Sequence, residues 1–414
     1  MPVTIQSGTG LISKTETLKM SHNPDQITPV WISSDTCTME DFRAHVEKTT
    51  DPSSVPLAVE VVKNIPIYDG AAVRKAASHE DKAKAFMAEW NEVLATGPGI
   101  VVIKETYEDL DLIDNVTKVL DAIIEEERQS GAGAGDHFAA AGANSRIWNA
   151  HEKLCLAAPA LFARYNANPV IPMISKSWLG PLYQITTQVN VVRPGGKAQA
   201  CHRDYHMGFQ TTEALAHYPA RIHALSAMLT LQGGIAHCDM PVESGPTKLL
   251  PYSQTYLPGY FAAQIPEFRT YFEDNFVQLP LNKGDTLFFN PALFHAAGEN
   301  KTNDIDRIVN LMQIGSGYGR SIEIVDRTRM SAALYPVLKH MVDTGSLCAE
   351  DATCIIAACA EGYPFPANLD LDSPLSGMAP ESQQELMQRA LDNGWSAEVF
   401  DKALQDQQHR KRSH

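Results

Sequence analysis

The residues best suited to chemistry are a histidine and a carboxylate two positions apart, His202 and Asp204, just beyond an alternating stretch at 183–192. Alternate side chains of an extended chain point to the same side, so these two groups can reach one ion together. His295 offers a second imidazole, 91 residues beyond Asp204 and after a glycine turn and an apolar stretch at 283–290. Two histidines and one carboxylate on one face leave coordination positions open, as in non-haem Fe(II) oxygenases.

A histidine and an aspartate at this spacing arise by chance in many chains, so the pair alone is a weak signal for a metal site. A nearby arginine strengthens the interpretation. Arg307 lies 12 residues beyond His295 and opens the apolar stretch IVNLMQI. A buried guanidinium can clamp a carboxylate by paired, charge-assisted hydrogen bonds, so Arg307 is a candidate site for a dicarboxylate. The alternative is a salt bridge at the end of the strand, with Asp304 or Asp306 as the partner.

Four segments share their pattern with a known family: HRDYH at 202–206, ESGPTKLLPYSQ at 243–254, KGDTLFFNPALFHAAGEN at 283–300 and DRIVNLMQ at 306–313. They resemble the phytanoyl-CoA dioxygenase-like branch of the Fe(II)/2-oxoglutarate oxygenases over roughly residues 95–320. The resemblance implies that His202, Asp204 and His295 are the catalytic iron ligands. It also implies that Arg307 binds the far carboxylate of the cosubstrate 2-oxoglutarate, and that O2 is the second cosubstrate.

The chain departs from the family pattern at two places. The family's middle segment typically begins with asparagine-glycine, whereas this chain has Ser244-Gly245, and a Ser or Gly after the distal histidine is replaced by Ala296-Ala297. The second change removes a hydroxyl contact to the cosubstrate and leaves the metal ligands intact. Related halogenases replace the carboxylate ligand with a small residue, so the retention of Asp204 favours hydroxylation or another oxidation over halogenation.

Three more polar residues are candidates for binding the cosubstrate. Gln188 and Asn190 share one face of the strand at 183–192, and Thr247 lies where the resembling family lines its pocket. The alternative for the first two is an ordinary polar sheet face.

A weaker set of residues is predicted to contact substrate: Tyr205, His206, Trp148, Trp178 and His137. Tyr205 and His206 follow the metal motif directly, whereas tryptophans are more often simply packed in a core. His137 follows the glycine-alanine segment 131–135, which lacks the features of a phosphate loop and is predicted to be a mobile lid over the site.

Short, β-branched or alternating stretches predict strands at 57–62, 100–103, 183–192, 224–231, 247–250, 276–281, 286–290 and 308–314. Apolar residues at helical spacing predict helices at 71–95, 110–128, 148–167, 327–342, 349–361, 380–393 and 396–407. Many short strands separated by turn residues favour a jelly roll. The predicted fold is therefore α+β, with a mainly β core (a double-stranded β-helix, or jelly roll) flanked by N- and C-terminal helices.

Three regions follow from this pattern. Residues 1–55 are polar and irregular and are predicted to form an extended arm, 56–325 the oxygenase domain with its bracing helices, and 326–414 a C-terminal helical extension.

The composition limits the function classes. The 414 residues carry a formal net charge of −15, which argues against nucleic-acid binding over a wide surface and slightly against coenzyme A. No apolar run is long enough to span a membrane, and the N-terminus has no signal-peptide core. Seven scattered cysteines without a CxxC pair favour free thiols and a cytoplasmic setting.

The sequence thus predicts a 2-oxoglutarate-dependent iron dioxygenase that oxidises a small organic metabolite, with secondary metabolism as one setting. The oxidation is a hydroxylation, a desaturation or ring chemistry. Two alternatives stay open at this point: a cupin-like metal enzyme without 2-oxoglutarate, and a non-enzymatic jelly-roll binding module.

Overall fold

The computed structural model describes residues 29–131, 144–374 and 378–412. The strands in these ranges are β1 Glu60–Val62, β2 Ile65–Asp69, β3 Ile100–Lys104, β4 Asn144–Ile147, β5 Gln184–Val192, β6 Thr230–Ala236, β7 Lys248–Leu250, β8 Thr286–Phe289, β9 Phe294–Ala296 and β10 Arg307–Gly315.

Helices precede, interrupt and follow these strands. Those in the described ranges are α1 Met39–Val46, α2 Gly70–Ala77, α3 Glu80–Ala95, α4 Leu110–Ser130, α5 Ala150–Ala157, α6 Pro159–Asn166, α7 Val170–Leu179, α8 Thr212–Leu215, α9 Ala220–Met228, α10 Gly259–Ala262, α11 Pro266–Asn275, α12 Arg327–Asp343, α13 Ala349–Cys359, α14 Gln383–Asp392 and α15 Ala397–Arg410. Local chemistry sets several ends. Ser382 and Glu385 form a capping box at the start of α14, and Gly131 ends α4 in the left-handed conformation.

The strands form two sheets. The large sheet has the order β1-β2-β3-β8-β6-β10-β5-β4, in which only β2 and β3 pair in parallel. The small sheet pairs β7 with β9 and is widened by a bridge between His202 and His295. Side chains of both sheets line one cavity. The predicted jelly roll is confirmed, and the bridge brings together two of the predicted metal ligands.

The large sheet has two different faces. Strand β10 pairs with β5 over nine residues, from Arg307 opposite Val192 to Gly315 opposite Gln184. Alternate residues of β10, such as Leu311 and Gln313, line the cavity, whereas Met312 and Ile314 join the core against the helices. The period of two along the strand therefore separates the pocket side from the packing side.

One continuous apolar core joins the sheet to helices from both ends of the chain. It includes Trp90 of α3, Phe162 of α6, Val189 of β5, Met330 of α12 and Phe400 of α15, all nearly inaccessible to solvent. The C-terminal helices thus brace the outer face of the sheet. The division into three regions at residues 55 and 325 stays a prediction. Among the helices of the described ranges, none has the length and apolar character that crossing a membrane requires.

Several predicted elements agree closely with the structure. The strands predicted at 100–103, 183–192, 247–250, 286–290 and 308–314 and the four C-terminal helices are present, with ends shifted by a few residues. These segments have strong periodicity or clear turn residues at their ends.

Other predictions were wrong. The strand predicted at 224–231 is mostly helix α9, with β6 beginning only at Thr230, because a short apolar run does not distinguish helix from strand. The segment 276–281 contains Pro280 and makes isolated bridges at Val277 and Leu281 in place of a continuous ladder.

The helices predicted at 71–95 and 148–167 are each split in two. The first is interrupted at Ser78 and His79, and in the second Pro159 begins a new helix. The sequence did not predict β2, β4, β9, α7, α8, α10 or α11. It also missed α1, which lies within the segment expected to be irregular.

Candidate active site

The two histidines and the aspartate converge as predicted. His202 Nε2 lies 3.5 Å from Asp204 Oδ1, and His295 Nε2 lies 3.4 Å from Asp204 Oδ2. One ligand atom from each of the three residues lies within 4.8 Å of the other two. His202 and Asp204 alternate along one extended segment, and the bridge to β9 places His295 beside them.

Hydrogen bonds orient both imidazoles for metal binding. His202 Nδ1 lies 2.8 Å from the carbonyl oxygen of Ala200, and His295 Nδ1 lies 2.9 Å from that of Leu293. A carbonyl oxygen only accepts, so each Nδ1 carries the proton and each Nε2 lone pair faces Asp204. Ligands about 2.1 Å from one ion lie about 3 Å apart when adjacent, so the three groups fit a single divalent metal.

The electrostatics favour the protonation states that a metal site needs. Burial lowers the pKa of His202, and the neighbouring His295 lowers it further. Burial alone would raise the pKa of Asp204, but His202, His295 and the amide of Gln232 outweigh it and hold this pKa well below its ordinary value. A neutral His202 and an ionised Asp204 at neutral pH are the forms that bind a metal without first releasing protons.

The residue between the two ligands anchors the segment from behind. The buried Arg203 donates hydrogen bonds from Nη2 to the carbonyl oxygens of Ser253 and Tyr256. Its guanidinium also lies 5.3 Å from the ring centre of Tyr260 and 5.2 Å from that of Phe294. Burial lowers the pKa of Arg203 to about 10, so the group stays charged at neutral pH. Arg203 thereby fixes the backbone that presents His202 and Asp204.

Gly259, at the start of α10, tests this anchor. A Cβ at Gly259 would overlap the guanidinium of Arg203. We expect Gly259→Ala to destabilise the protein by roughly 1–3 kcal/mol, because the close-packed guanidinium must move, and to weaken metal binding. Gly315→Ala is the matched control, since a Cβ there meets no atom within 4 Å. Thermal unfolding and metal titration of both variants measure the effect, and equal behaviour of the two would contradict the anchoring role.

A cavity of about 530 Å³ surrounds the three metal-binding candidates and extends along β10. Arg307 and Gln313 both line it and lie on the same face of this strand. Six residues of strand span roughly 20 Å, which is longer than 2-oxoglutarate. A cosubstrate held at Arg307 would therefore leave the end near Gln313 for another molecule.

Arg307 is a buried cation that faces this cavity. It is 4% exposed, and its Nη1 donates to the carbonyl oxygens of Ser244 at 3.3 Å and Gly298 at 3.2 Å. Burial lowers its pKa to about 10, so it remains charged at neutral pH. Its guanidinium forms no ion pair with any residue that the structure describes, and Asp304 and Asp306 do not contribute to its electrostatics, so the alternative of a salt bridge to either is wrong. A buried charge without a counter-ion favours an anionic ligand.

The structure places the other predicted residues unequally. Gln188, Asn190, Thr247 and Trp148 line the cavity, as expected for cosubstrate or substrate contacts. His137 and the segment 132–143, which includes most of the predicted lid, lie outside the described residues.

Three predicted substrate contacts, Trp178, Tyr205 and His206, do not line the cavity. Trp178 packs against the core and donates from Nε1 to the carbonyl oxygens of Ala227 and Thr230. Tyr205 has a positive φ of 64°, so its side chain does not continue the alternation of the extended segment. This side chain is buried outside the cavity lining. His206 then begins a short 3₁₀ turn and meets the carbonyl oxygen of Arg320.

Sequence reasoning missed several residues that line the cavity: Arg146, Phe209, Gln232, Gln313 and Ile322. Gln313 could have been predicted from the sequence, because it shares the period of two with Arg307 along β10. Gln232 was hidden by the misplaced strand at 224–231, and Arg146 by the unpredicted strand β4. Arg146 Nη1 donates to Gln188 Oε1 at 2.9 Å.

The comparison with family models agrees with this geometry. Residues 69–309, more than half of the chain, match the model of the phytanoyl-CoA dioxygenase family. The chain belongs to this family. The predicted resemblance is therefore confirmed, and the protein is a non-haem iron dioxygenase that depends on 2-oxoglutarate. The family match includes His202, Asp204, His295 and Arg307.

Solved structures with a similar fold include enzymes of nogalamycin biosynthesis. The non-heme alpha ketoglutarate dependent epimerase SnoN is 17% identical over 56% of this chain and 84% of that chain, with a TM-score of 0.36. SnoN in complex with Fe3+, alpha ketoglutarate and nogalamycin RO is 15% identical over 56% and 85%, with a TM-score of 0.37. The carbocyclase SnoK is 17% identical over 57% and 86%, with a TM-score of 0.39. Among curated proteins, none matches this chain in sequence.

Proposed function

We propose that the protein oxidises a small organic molecule at an iron held by His202, Asp204 and His295, with 2-oxoglutarate anchored by Arg307. The observation that carries the proposal is the placement of all four residues in one cavity. The three ligand candidates fit one divalent ion, and Arg307 supplies the charge that a bound dicarboxylate requires. The metal-ligand candidates and Arg307 come from separate segments of the chain, so their convergence in one cavity supports a shared function.

The chain's own residues have separable tasks in this proposal. When bound, iron would activate O2, the oxidant, with 2-oxoglutarate as the electron-donating cosubstrate that is converted to succinate and carbon dioxide, and so supply the chemistry for attack on an unactivated C–H bond. Arg307 fixes the far end of the cosubstrate, and Thr247, Gln188 and Asn190 offer polar contacts along the same cavity. The apolar side chains of Leu281, Leu287 and Phe289 also line the cavity and would keep water from the reacting atoms.

The cavity also suggests the class of substrate. Its volume of about 530 Å³ must hold both 2-oxoglutarate and the oxidised group, so the reacting part of the substrate is small. Trp148, Phe209 and Ile322 offer apolar contact, and Arg146 with Gln188 offers polar contact. These side chains suit a compact molecule with an apolar body and at least one polar group. With Asp204 retained, oxidation is favoured over halogenation, while a role in secondary metabolism stays a prediction.

The cysteines support a reducing environment for this chemistry. All seven are free thiols, and Cys155, Cys201 and Cys359 are buried. We therefore keep the cytoplasm as the proposed location.

Two alternatives are less well supported. A cupin-like metal enzyme without cosubstrate would leave the buried charge of Arg307 without a partner. A non-enzymatic binding module would not explain why hydrogen bonds at Nδ1 turn the Nε2 atoms of both His202 and His295 toward Asp204. The family match also favours the dioxygenase.

The proposal is tested by the release of succinate from 2-oxoglutarate in the presence of Fe(II), O2 and an extract of small metabolites. We expect succinate and carbon dioxide in equal amounts, with formation that stops when iron or 2-oxoglutarate is omitted. Iron binding without any succinate would favour the cupin-like enzyme. Failure to bind iron would favour the binding module.

A further inference from the structure

One buried glutamine contacts the metal-binding aspartate directly. Gln232 of β6 is 3% exposed and lies opposite Gln313 in the register of β6 and β10. Its Nε2 lies 2.6 Å from Asp204 Oδ2 and 3.3 Å from Gln313 Oε1. With both imidazole protons on Nδ1, Gln232 provides the only hydrogen bond to the Asp204 carboxylate from the described part of the chain.

The chemistry of these groups fixes the direction of the amide. An ionised carboxylate has no hydrogen to donate, so the NH2 group of Gln232 must face Asp204. Gln232 Oε1 therefore points away, where it is buried without a hydrogen-bond partner in the described ranges. A buried acceptor left unsatisfied lowers stability. The glutamine thus holds Asp204 while leaving one of its own acceptors unsatisfied, which calls for a reason beyond packing.

We propose that Gln232 is a positioning residue, which holds Oδ2 of Asp204 and leaves Oδ1 as the single oxygen for the iron. The inference rests on the proposed function, because it assigns a role within the same metal site. Hydrogen bonds to ligating carboxylates fix their rotation and tune the metal that they bind.

The hydrogen bond gives this role a consequence for metal affinity. A carboxylate whose Oδ2 is already held would offer Oδ1 to a metal in a fixed rotation. Without the amide of Gln232, Asp204 would have to be ordered when the metal binds, so metal binding would weaken.

The test uses Gln232→Met, which keeps the length of the side chain and removes the amide. Gln313→Met is the matched control, since it leaves the bond between Gln232 and Asp204 in place. Metal-free protein is titrated with Mn(II) by calorimetry. We expect Gln232→Met to bind Mn(II) about 10–100-fold more weakly than the unchanged protein, and Gln313→Met to bind it nearly as tightly. The melting temperatures of the metal-free variants should stay close to that of the unchanged protein.

A purely structural role predicts the opposite pattern, a lowered melting temperature with unchanged Mn(II) affinity, and this result would overturn the proposal. If Gln232→Met does not fold, Gln232→Leu serves in its place. Asp204→Ala distinguishes an error in the proposed metal site from an error in the positioning role of Gln232. If it retains full Mn(II) affinity, the proposed metal site is wrong; if it loses Mn(II) and Gln232→Met does not, only the positioning role is wrong.

Discussion

Replacing Asp204 with alanine is expected to remove iron and turnover together. The change takes away the carboxylate that lies between the two imidazoles, and the remaining pair supplies no negative charge to the ion. Changes in the hydrogen bonds around metal ligands alone cost about 10–100-fold in affinity, so we expect loss of a ligand to cost more than about a hundredfold. Iron content by atomic absorption and succinate release measure the two effects.

The matched control for this change is Asp304→Ala, which removes an exposed carboxylate on the loop before β10. This variant should keep its iron and its activity. Full iron occupancy with intact turnover in Asp204→Ala would show that the carboxylate is not a ligand.

Replacing Arg307 with leucine is expected to raise the 2-oxoglutarate requirement steeply while iron binding persists. The far carboxylate of the cosubstrate would lose its charged partner in a buried site, which costs roughly 3–5 kcal/mol, or more than about a hundredfold in affinity. Titration of 2-oxoglutarate against succinate release measures the Michaelis constant, and metal analysis confirms that iron is retained.

Two further variants refine this test. Arg307→Lys keeps the charge but not the fork of donors, so its effect should lie between those of the unchanged protein and the leucine variant. Arg221→Leu, an exposed arginine on α9, should have no effect. If Arg307→Leu changed only the affinity for the oxidised substrate, the assigned role would be wrong.

The core of the site was predictable because its signals are local or periodic. His202 and Asp204 alternate on extended chain, and this spacing alone places two ligands on one side. His295 and Arg307 follow turn residues and begin or precede strongly apolar strands. Their convergence needed the resemblance to a family, since no sequence pattern states which strands are neighbours.

The outer parts of the site were less predictable for physical reasons. Tyr205 takes a backbone with positive φ that ends the alternation, and a tyrosine in the sequence does not signal this conformation, which non-glycine residues seldom adopt. Gln232 depends on a strand whose start could not be separated from the end of helix α9, because both are short and apolar. Trp178 is held by carbonyl groups about 50 residues away in the chain, which only tertiary contacts reveal.

The fold shows the same division between local and long-range information. Helices with full caps and clear apolar faces, such as α14, were predicted well. Strand β4 was missed because NSRI is too short to show a period, and it forms only by pairing with the edge of β5.

The most direct measurement of the central claim is an anaerobic titration of the metal-free protein, first with Fe(II) and then with 2-oxoglutarate, followed by visible absorption. The proposal predicts one iron and one 2-oxoglutarate per chain, with a charge-transfer band that appears only when both are present. The band should be absent from Asp204→Ala and should require far more 2-oxoglutarate in Arg307→Leu. One bound iron with no band at any 2-oxoglutarate concentration would contradict the proposed site.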